Sequence, residues 1–111
     1  MREIKFRTFD KVTETFIYSD QIVGGMWRYF KELEDRGIRH FESQQFTGLP
    51  DKNGIGIYEG DIVRCPDGWI GRIYWSEVEL QWWVGDHDLA NLNKPEVIGN
   101  IRENPELLGV K

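Results

Sequence analysis

Apolar and polar residues alternate at the start of the chain, on either side of a short, mostly polar segment. The alternation covers residues 4–9 and resumes over 14–18, and residues 10–13 between them carry Asp, Lys and Thr. A repeat of two residues is typical of strands that bury one face. The first eighteen residues therefore predict a β-hairpin.

The repeat lengthens after Gly25, where apolar residues recur with the i, i+3, i+4, i+7 spacing of one helical stripe: Met26, Tyr29, Phe30 and Leu33. This pattern predicts a short amphipathic helix that ends at Gly37, a residue well suited to follow a helix C-terminus. Trp27 lies beside the stripe. It either extends the core or exposes its ring to a partner, and the pattern favours core packing.

Strand-like segments return over residues 41–65, separated by turn-forming residues. Asn53-Gly54 predicts a tight turn because both residue types tolerate positive φ, and Gly60-Asp61 predicts a bend between two strands. Pro66, Asp67 and Gly68 end the second of these strands.

Two clearer alternations follow, each with one apolar face: first Trp69, Ile73 and Trp75, then Val78, Leu80, Trp82 and Val84. Trp83 falls on the polar side of the second segment and is therefore predicted to be the ring most exposed to solvent. Residues 85–95 predict a loop and 97–101 a last strand. Asn104 and Pro105 suit the N-cap and first position of a short helical turn.

These elements predict a mainly β, α+β fold in a single domain covering 1–111. Residues 1–54 supply a hairpin and one amphipathic helix, and 55–111 supply a strongly bent, SH3-like small β-barrel, because short strands at close spacing bury a core best by curling. The length of 111 residues suits one domain, and no linker or internal repeat divides the chain.

Composition narrows the class of protein. Forty per cent of residues are hydrophobic and 30% charged, which is typical of globular proteins, and no apolar run is long enough to span a membrane. The first residues lack the pattern of a secretion signal, and Cys65 has no second cysteine with which to form an internal disulfide. We therefore expect a cytoplasmic protein with no membrane contact, and Cys65 as a small buried residue.

The net charge of −5 disfavours coating of a nucleic-acid backbone, which requires clustered cations. The basic residues Lys5, Arg7 and Lys11 alternate with apolar ones and are predicted to form a solvated strand face. The five Trp, four Tyr and six Phe exceed what a small core requires. Some of these rings are therefore expected to serve a partner or a subunit interface.

Four blocks, in order, carry a resemblance to a known family: residues 1–10, 45–54, 57–63 and 97–108. Together they resemble the signature segments of the YopX family of phage and prophage proteins, with Phe46 where the family often has Tyr and Gly56 where it often has a longer polar residue. The resemblance implies a phage or prophage origin and a mainly β architecture, and it implies no activity.

Catalytic and metal chemistry find little support. The densest set of ligand-type residues is Asp86, His87 and Asp88, but neighbours in an extended chain point apart. The glycines at 54 and 56 precede a strand, whereas a phosphate-binding loop precedes a helix. None of Ser19, Ser43 and Ser76 lies in a nucleophile-elbow sequence. No cofactor is expected.

Three hypotheses follow, in order of preference. The first is a non-catalytic binding or assembly protein that self-associates, or docks on a host or phage protein, through Trp83 and Trp27. The second is a barrel that stacks single-stranded nucleic acid on the same rings, with charge from Arg64, Arg72 and Arg102, although the acidic total disfavours it. The third is an enzyme that uses Asp86, His87 and Asp88.

Overall fold

The computed structural model describes residues 4–85, 87–92 and 94–108. The chain forms two compact units, 1–46 and 47–111, and the division at 54 and 55 stays a prediction. The fold is mainly β with one α-helix, as predicted. The described elements are β1 (Phe6–Asp10), β2 (Thr15–Tyr18), α1 (Met26–Asp35), β3 (Gln44–Pro50), β4 (Gly56–Tyr58), β5 (Asp61–Arg64), β6 (Ile70–Ser76), β7 (Gln81–Val84), β8 (His87–Asp88) and β9 (Glu96–Asn100).

Four 3-10 turns complete the described secondary structure: Ser19–Gln21, His40–Glu42, Leu89–Asn91 and Pro105–Leu108. The strands form two antiparallel sheets, in the orders β2-β1-β3-β4 and β8-β7-β6-β5-β9. No helix of the described residues has the length and apolar character needed to cross a bilayer.

The hairpin prediction is confirmed in the first unit. Strands β1 and β2 pair from Arg7 opposite Tyr18 to Asp10 opposite Thr15. The Asp10 Oδ1 atom accepts the backbone amide of Val12 at 2.8 Å, which closes the turn between the strands. Strand β3 then pairs with the other edge of β1.

The predicted helix is also confirmed, and it buries its apolar stripe against one face of the hairpin. Tyr29 and Leu33 are fully buried and pack with Ile17 of β2. The helix ends as predicted, with Gly37 at φ +74° and the Ile38 amide donating to the Leu33 carbonyl at 2.8 Å. Burial of this stripe fixes the helix on the sheet.

One face of β1 and β2 differs from its predicted solvated character. Arg7 is buried, because its guanidinium stacks 4.4 Å from the centroid of the Phe16 ring and its Nε donates to Gln44 Oε1 at 2.8 Å. Lys5 lies 4.2 Å above the Phe46 ring. The solvated face predicted for Lys5, Arg7 and Lys11 is therefore wrong for Arg7. The alternation in β1 is as predicted, but the face that carries Arg7 also carries aromatic rings, and these rings cover its guanidinium.

The second unit is built on the five-stranded sheet. Its core gathers Ile57, Val63, Cys65, Ile73, Trp82, Val84 and Leu89. The burial predicted for Cys65 is confirmed. The described strands run from β8 at one edge to β9 at the other, in an open order. The predicted closure into an SH3-like barrel is not confirmed.

The strand that was predicted to begin at Val78 is wrong over its first three residues. The alternation of Val78, Leu80, Trp82 and Val84 predicted one continuous strand, but β7 begins only at Gln81. Val78 and Leu80 are exposed in the turn that joins β6 to β7, where Leu80 adopts φ +55°. A tight turn can repeat the spacing of a strand by chance over three residues, and here it does.

The helical turn predicted to start at Pro105 is confirmed, whereas the side chain of Asn104 bonds to Asn100. A 3-10 turn begins at Pro105, and the Asn104 Oδ1 atom accepts the Asn100 amide at 3.3 Å. Asn100 Oδ1 in turn accepts the amides of Arg102 and Glu103. These bonds account for the polar residues of the last signature block as structural groups.

Candidate functional site

Arg72 and Trp83, two of the three predicted binding residues, lie on the same face of the second sheet. Tyr74 of β6 pairs directly opposite Trp83 of β7, and directly opposed residues of an antiparallel pair share a face. Arg72 precedes Tyr74 by two residues in the same strand and therefore points the same way. Arg72, Tyr74 and Trp83 form what we call the ring face.

Trp83 is less exposed than predicted. It is half-buried, because Tyr74 stands opposite it on one neighbouring strand and Asp88 on the other. Its indole Nε1 is buried and makes no hydrogen bond within the described chain. The Tyr74 hydroxyl donates to the Gly85 carbonyl at 2.8 Å, which fixes that ring. The prediction of Trp83 as a freely exposed ring is therefore wrong.

Arg72 carries the charge of the ring face. Its side chain is exposed and makes no ion pair with any described residue. An unpaired guanidinium beside two aromatic rings offers both charge and stacking surface to a ligand. Arg64 pairs with Glu96 at 3.7 Å, so the charges that were predicted to act together are not equally available.

Trp27 lies in the other unit, on α1, and is 66% exposed. The preference for core packing is wrong here, because Tyr29 and Leu33 fill the buried stripe and leave Trp27 outside it. Val23, four residues earlier, is 94% exposed. The Arg28 guanidinium lies 5.8 Å from the centroid of the Trp27 ring. Trp27 and Arg28 form the Trp27 patch.

The predicted ligand-type triplet is only partly described. Asp86 lies outside the described residues, and Asp88 Oδ1 accepts the Ala90 amide at 3.0 Å as a cap. The His87 ring packs edge-on against Trp69 with centroids 5.5 Å apart. Within residues 4–85, 87–92 and 94–108 no three His, Cys, Asp or Glu side chains are placed to hold a metal ion.

The buried nucleophile-type groups are also committed elsewhere. Burial raises the pKa of the Cys65 thiol, and the nearby Asp67 carboxylate raises it further. Thr8, Tyr29 and Ser43 form a cluster of mutually hydrogen-bonded hydroxyls, with Tyr29 and Ser43 oxygens 3.1 Å apart. Burial raises the pKa of Tyr29 despite its bonds to Ser43 and Thr8. Both arrangements disfavour ionised nucleophiles.

An apolar pocket in the second unit was not predicted from the sequence. Its volume is about 210 Å³, and we call it the Leu92 pocket. Eight residues line it: Leu49, Pro50, Ile57, Leu89, Ala90, Leu92, Lys94 and Pro95. Lys94 supplies the cationic group, is exposed, and makes no ion pair with a described residue. Leu89 and Leu92, two apolar residues within a predicted loop, were the available signal.

The geometry of the described residues defines a mainly β protein with a helix packed on its first sheet, and with the ring face and the Leu92 pocket in its second unit. The model of the YopX protein family matches residues 5–109, so the chain belongs to the YopX family. No curated protein matches it significantly. It is similar to a solved structure, the crystal structure of protein EF1440 from Enterococcus faecalis, with a TM-score of 0.60 and 25% identity over 97% of this chain and 99% of the other.

Proposed function

We propose that this YopX protein is a non-catalytic binding or assembly module of phage or prophage origin, which acts in the bacterial cytoplasm through protein–protein contacts. The exposure of Trp27 carries the proposal. A tryptophan buries a large area with few rotatable bonds, which is why this residue dominates the energetics of many interfaces.

The surroundings of Trp27 support a contact surface. The opposite side of α1 is filled by Tyr29 and Leu33, so the helix has no need of Trp27 for its own packing. Val23, four residues earlier in the chain, is a second exposed apolar side chain, and Arg28 adds a guanidinium that can pair with a partner carboxylate. A ring, an aliphatic group and a cation are the composition of an interface centre.

The absence of catalysis is part of the proposal. In its support, the Thr8, Tyr29 and Ser43 hydroxyls bond to one another, and burial raises the pKa of the Cys65 thiol. We further infer that the five-stranded sheet curls in the SH3-like manner, since Trp82 and Ile73 belong to one buried cluster and short strands bury such a core best by curling. The module then presents its ring face and its pocket from a rigid sheet.

Capture experiments with a Trp27→Ala variant test the function. The tagged protein is expressed in a bacterial host that carries the phage genes, and bound proteins are recovered and quantified. We expect the captured partner to fall at least about tenfold for Trp27→Ala, the equivalent of about 1.4 kcal/mol. Val12→Ala, another exposed apolar residue of the same unit, is the matched control.

The result that contradicts the proposal is equally plain. If Trp27→Ala and Trp83→Ala both leave partner capture and light-scattering mass unchanged, while circular dichroism confirms the fold, the protein-contact function fails.

The ring face supports a second candidate, single-stranded nucleic-acid binding. Arg72 is exposed and unpaired among described residues, and Tyr74 and Trp83 lie beside it. Bases stack on such rings, with cation–π help from arginine. Titration with short oligonucleotides at low salt should quench Trp fluorescence, and Arg72→Ala should weaken this quenching. Unchanged fluorescence in the native protein removes this candidate.

A further inference from the structure

The Leu92 pocket is the right size for a side chain. Small-molecule sites usually occupy about 300 to 1,000 Å³, whereas a cavity of about 150 Å³ already holds a benzene ring. The 210 Å³ of this pocket therefore accommodates one leucine-sized group with room for part of a second. Interfaces concentrate their binding energy where such a pocket receives an anchoring side chain.

The charge at the pocket specifies what accompanies that anchor. Lys94 has no ion-pair partner among described residues, and its backbone adopts φ +34°, a conformation that non-glycine residues rarely take. A carboxylate next to the anchoring group would pair with the Lys94 ammonium. The pocket therefore suits an aliphatic side chain that neighbours an acidic residue.

The same chain presents this combination at the turn between β6 and β7. Leu80 is 69% exposed and Val78 is 87% exposed, and they alternate with the exposed acidic residues Glu77 and Glu79. Ser76 holds the turn, since its Oγ accepts the Glu79 amide at 3.0 Å and its carbonyl accepts the Leu80 amide at 2.8 Å. We call residues 77–80 the acidic tip.

We propose that the Leu92 pocket binds the acidic tip of a second copy of this chain, with Leu80 in the pocket and Glu79 paired to Lys94. The inference rests on the proposed assembly function and names its partner. Tip and pocket are different surfaces, so the contact is head-to-tail, and a pair of bound copies leaves one tip and one pocket open. Repetition of the contact builds a ring or a filament.

The contact is expected to be weak. One turn seated in one pocket covers less area than the roughly 1,200 Å² of a stable interface. The mass measured by light scattering should therefore rise with concentration between about 10 μM and about 1 mM, the range in which weak contacts become populated. A mass that stays monomeric over this range overturns the inference.

Single variants locate the two sides of the contact. Leu80→Ser removes the anchor, and Ala90→Trp fills the pocket from an exposed position; each should keep the protein monomeric at concentrations where the native chain associates. Val12→Ser, an exposed residue of the other unit, is the control that should associate normally. Association that survives both Leu80→Ser and Ala90→Trp contradicts the proposal.

A charge exchange tests whether a loss of association comes from the lost ion pair or from loss of the fold. Lys94→Glu should abolish association, and combining it with Glu77→Lys and Glu79→Lys should restore it. Mixing Leu80→Ser with Ala90→Trp should give dimers that grow no further, because only one working tip and one working pocket can meet. Failure of both the rescue and the mixing result refutes a head-to-tail contact.

The outcome also separates this inference from the proposed function. Trp27→Ala should associate with itself like the native chain while losing its captured partner. If partner capture depends on Trp27 but the protein stays monomeric, the tip-and-pocket contact is refuted. The proposed function is then still supported.

Discussion

The Arg36 Nη1 atom donates to Asp10 Oδ2 at 2.8 Å, which joins the end of α1 to the turn of the hairpin. Asp10 Oδ1 accepts the Val12 amide at the same time. One carboxylate thus holds the turn with one oxygen and the helix with the other. Asp10 is buried, and the Arg36 Nε atom also pairs with Glu32 Oε2 at 3.2 Å.

We expect Asp10→Asn to destabilise the hairpin and helix, because an amide lacks the charge that pairs with Arg36. Arg36→Gln should act in the same direction, and the double variant should cost less than the sum of the two single ones, since both remove one interaction. Urea unfolding followed by circular dichroism measures these changes. Lys31→Gln, which breaks an exposed pair with Asp35, is the control and should have little effect. Strict additivity would show that the pair is not coupled.

Stability should depend on pH in the acid range. The Arg36 hydrogen bond, followed by the Val12 amide, holds the pKa of Asp10 below its usual value. A carboxyl with a lowered folded pKa contributes stability above its unfolded pKa of about 3.9, and loses it as pH falls through the folded value. The free energy of unfolding should therefore fall below about pH 4, and less steeply in Asp10→Asn. Identical slopes in the two proteins would contradict this account.

Asp51 organises the second unit in a similar way. Its Oδ1 accepts the amides of Asn53 and Ile55, and its Oδ2 accepts the Val97 amide at 3.0 Å. Burial raises the pKa of Asp51, but these three amides and the neighbouring Lys52 charge outweigh it, so the pKa is lowered.

Asp51→Ala should cost about 2 to 3 kcal/mol of unfolding free energy, because three backbone amides lose a charged acceptor. Asp67→Ala is the matched control, since Asp67 Oδ1 accepts only the Trp69 amide at 3.0 Å, in an exposed turn. Chemical denaturation of the two variants makes the comparison. Equal destabilisation would mean that the Val97 bond adds nothing.

Gly71 leaves the space into which Trp69 packs. A Cβ atom at residue 71 would lie 2.5 Å from the Trp69 ring and 2.9 Å from Val84 Cγ1. Gly71→Ala should therefore cost about 1 to 3 kcal/mol and shift Trp fluorescence, as overpacked sites do. In the Trp69→Ala background the same change should cost much less. An equal cost in both backgrounds would exclude the ring as the cause.

Arg7 and Lys11 give a paired test of the buried cation. Arg7→Ala should cost about 1 to 3 kcal/mol, since it removes the stacking on Phe16 and the bond to Gln44. Lys11→Ala, at an exposed turn position, should change stability by less than about 0.5 kcal/mol. Thermal unfolding of both variants decides the point, and similar stabilities would restore the solvated-face interpretation of Arg7.

Periodicity predicted the elements of the first unit because these elements depend on residues that are close in sequence. The hairpin turn and the stripe of Tyr29 and Leu33 are set by neighbours in sequence, so they were predicted correctly. Exposure was harder. The environment predicted for Trp83 was wrong because its exposure depends on the residues of the paired strands, and pairing register is not written in a single strand. The environment predicted for Trp27 was wrong because Tyr29 and Leu33 already fill the buried stripe of α1.

The Leu92 pocket could not be predicted from the sequence for a related reason. Its lining comes from three separate stretches, around Leu49, Ile57 and Leu89, which come together only when the sheet forms. The exposure of the acidic tip could not be predicted from the sequence for a different reason. Its alternation of Val78 and Leu80 matches a strand, and only the structure shows those side chains outside the core.

The bonds of Asp51 reach the outermost strand of the second sheet. Strand β9 ends that sheet, and at its start the Val97 amide is taken by Asp51 while the Pro95 carbonyl accepts the Lys52 amide at 3.0 Å. A foreign strand that approached there would find these two hydrogen-bonding positions already filled. The Asp51 turn thus blocks strand addition at the beginning of β9, which is a sheet edge that would otherwise offer unpaired backbone groups.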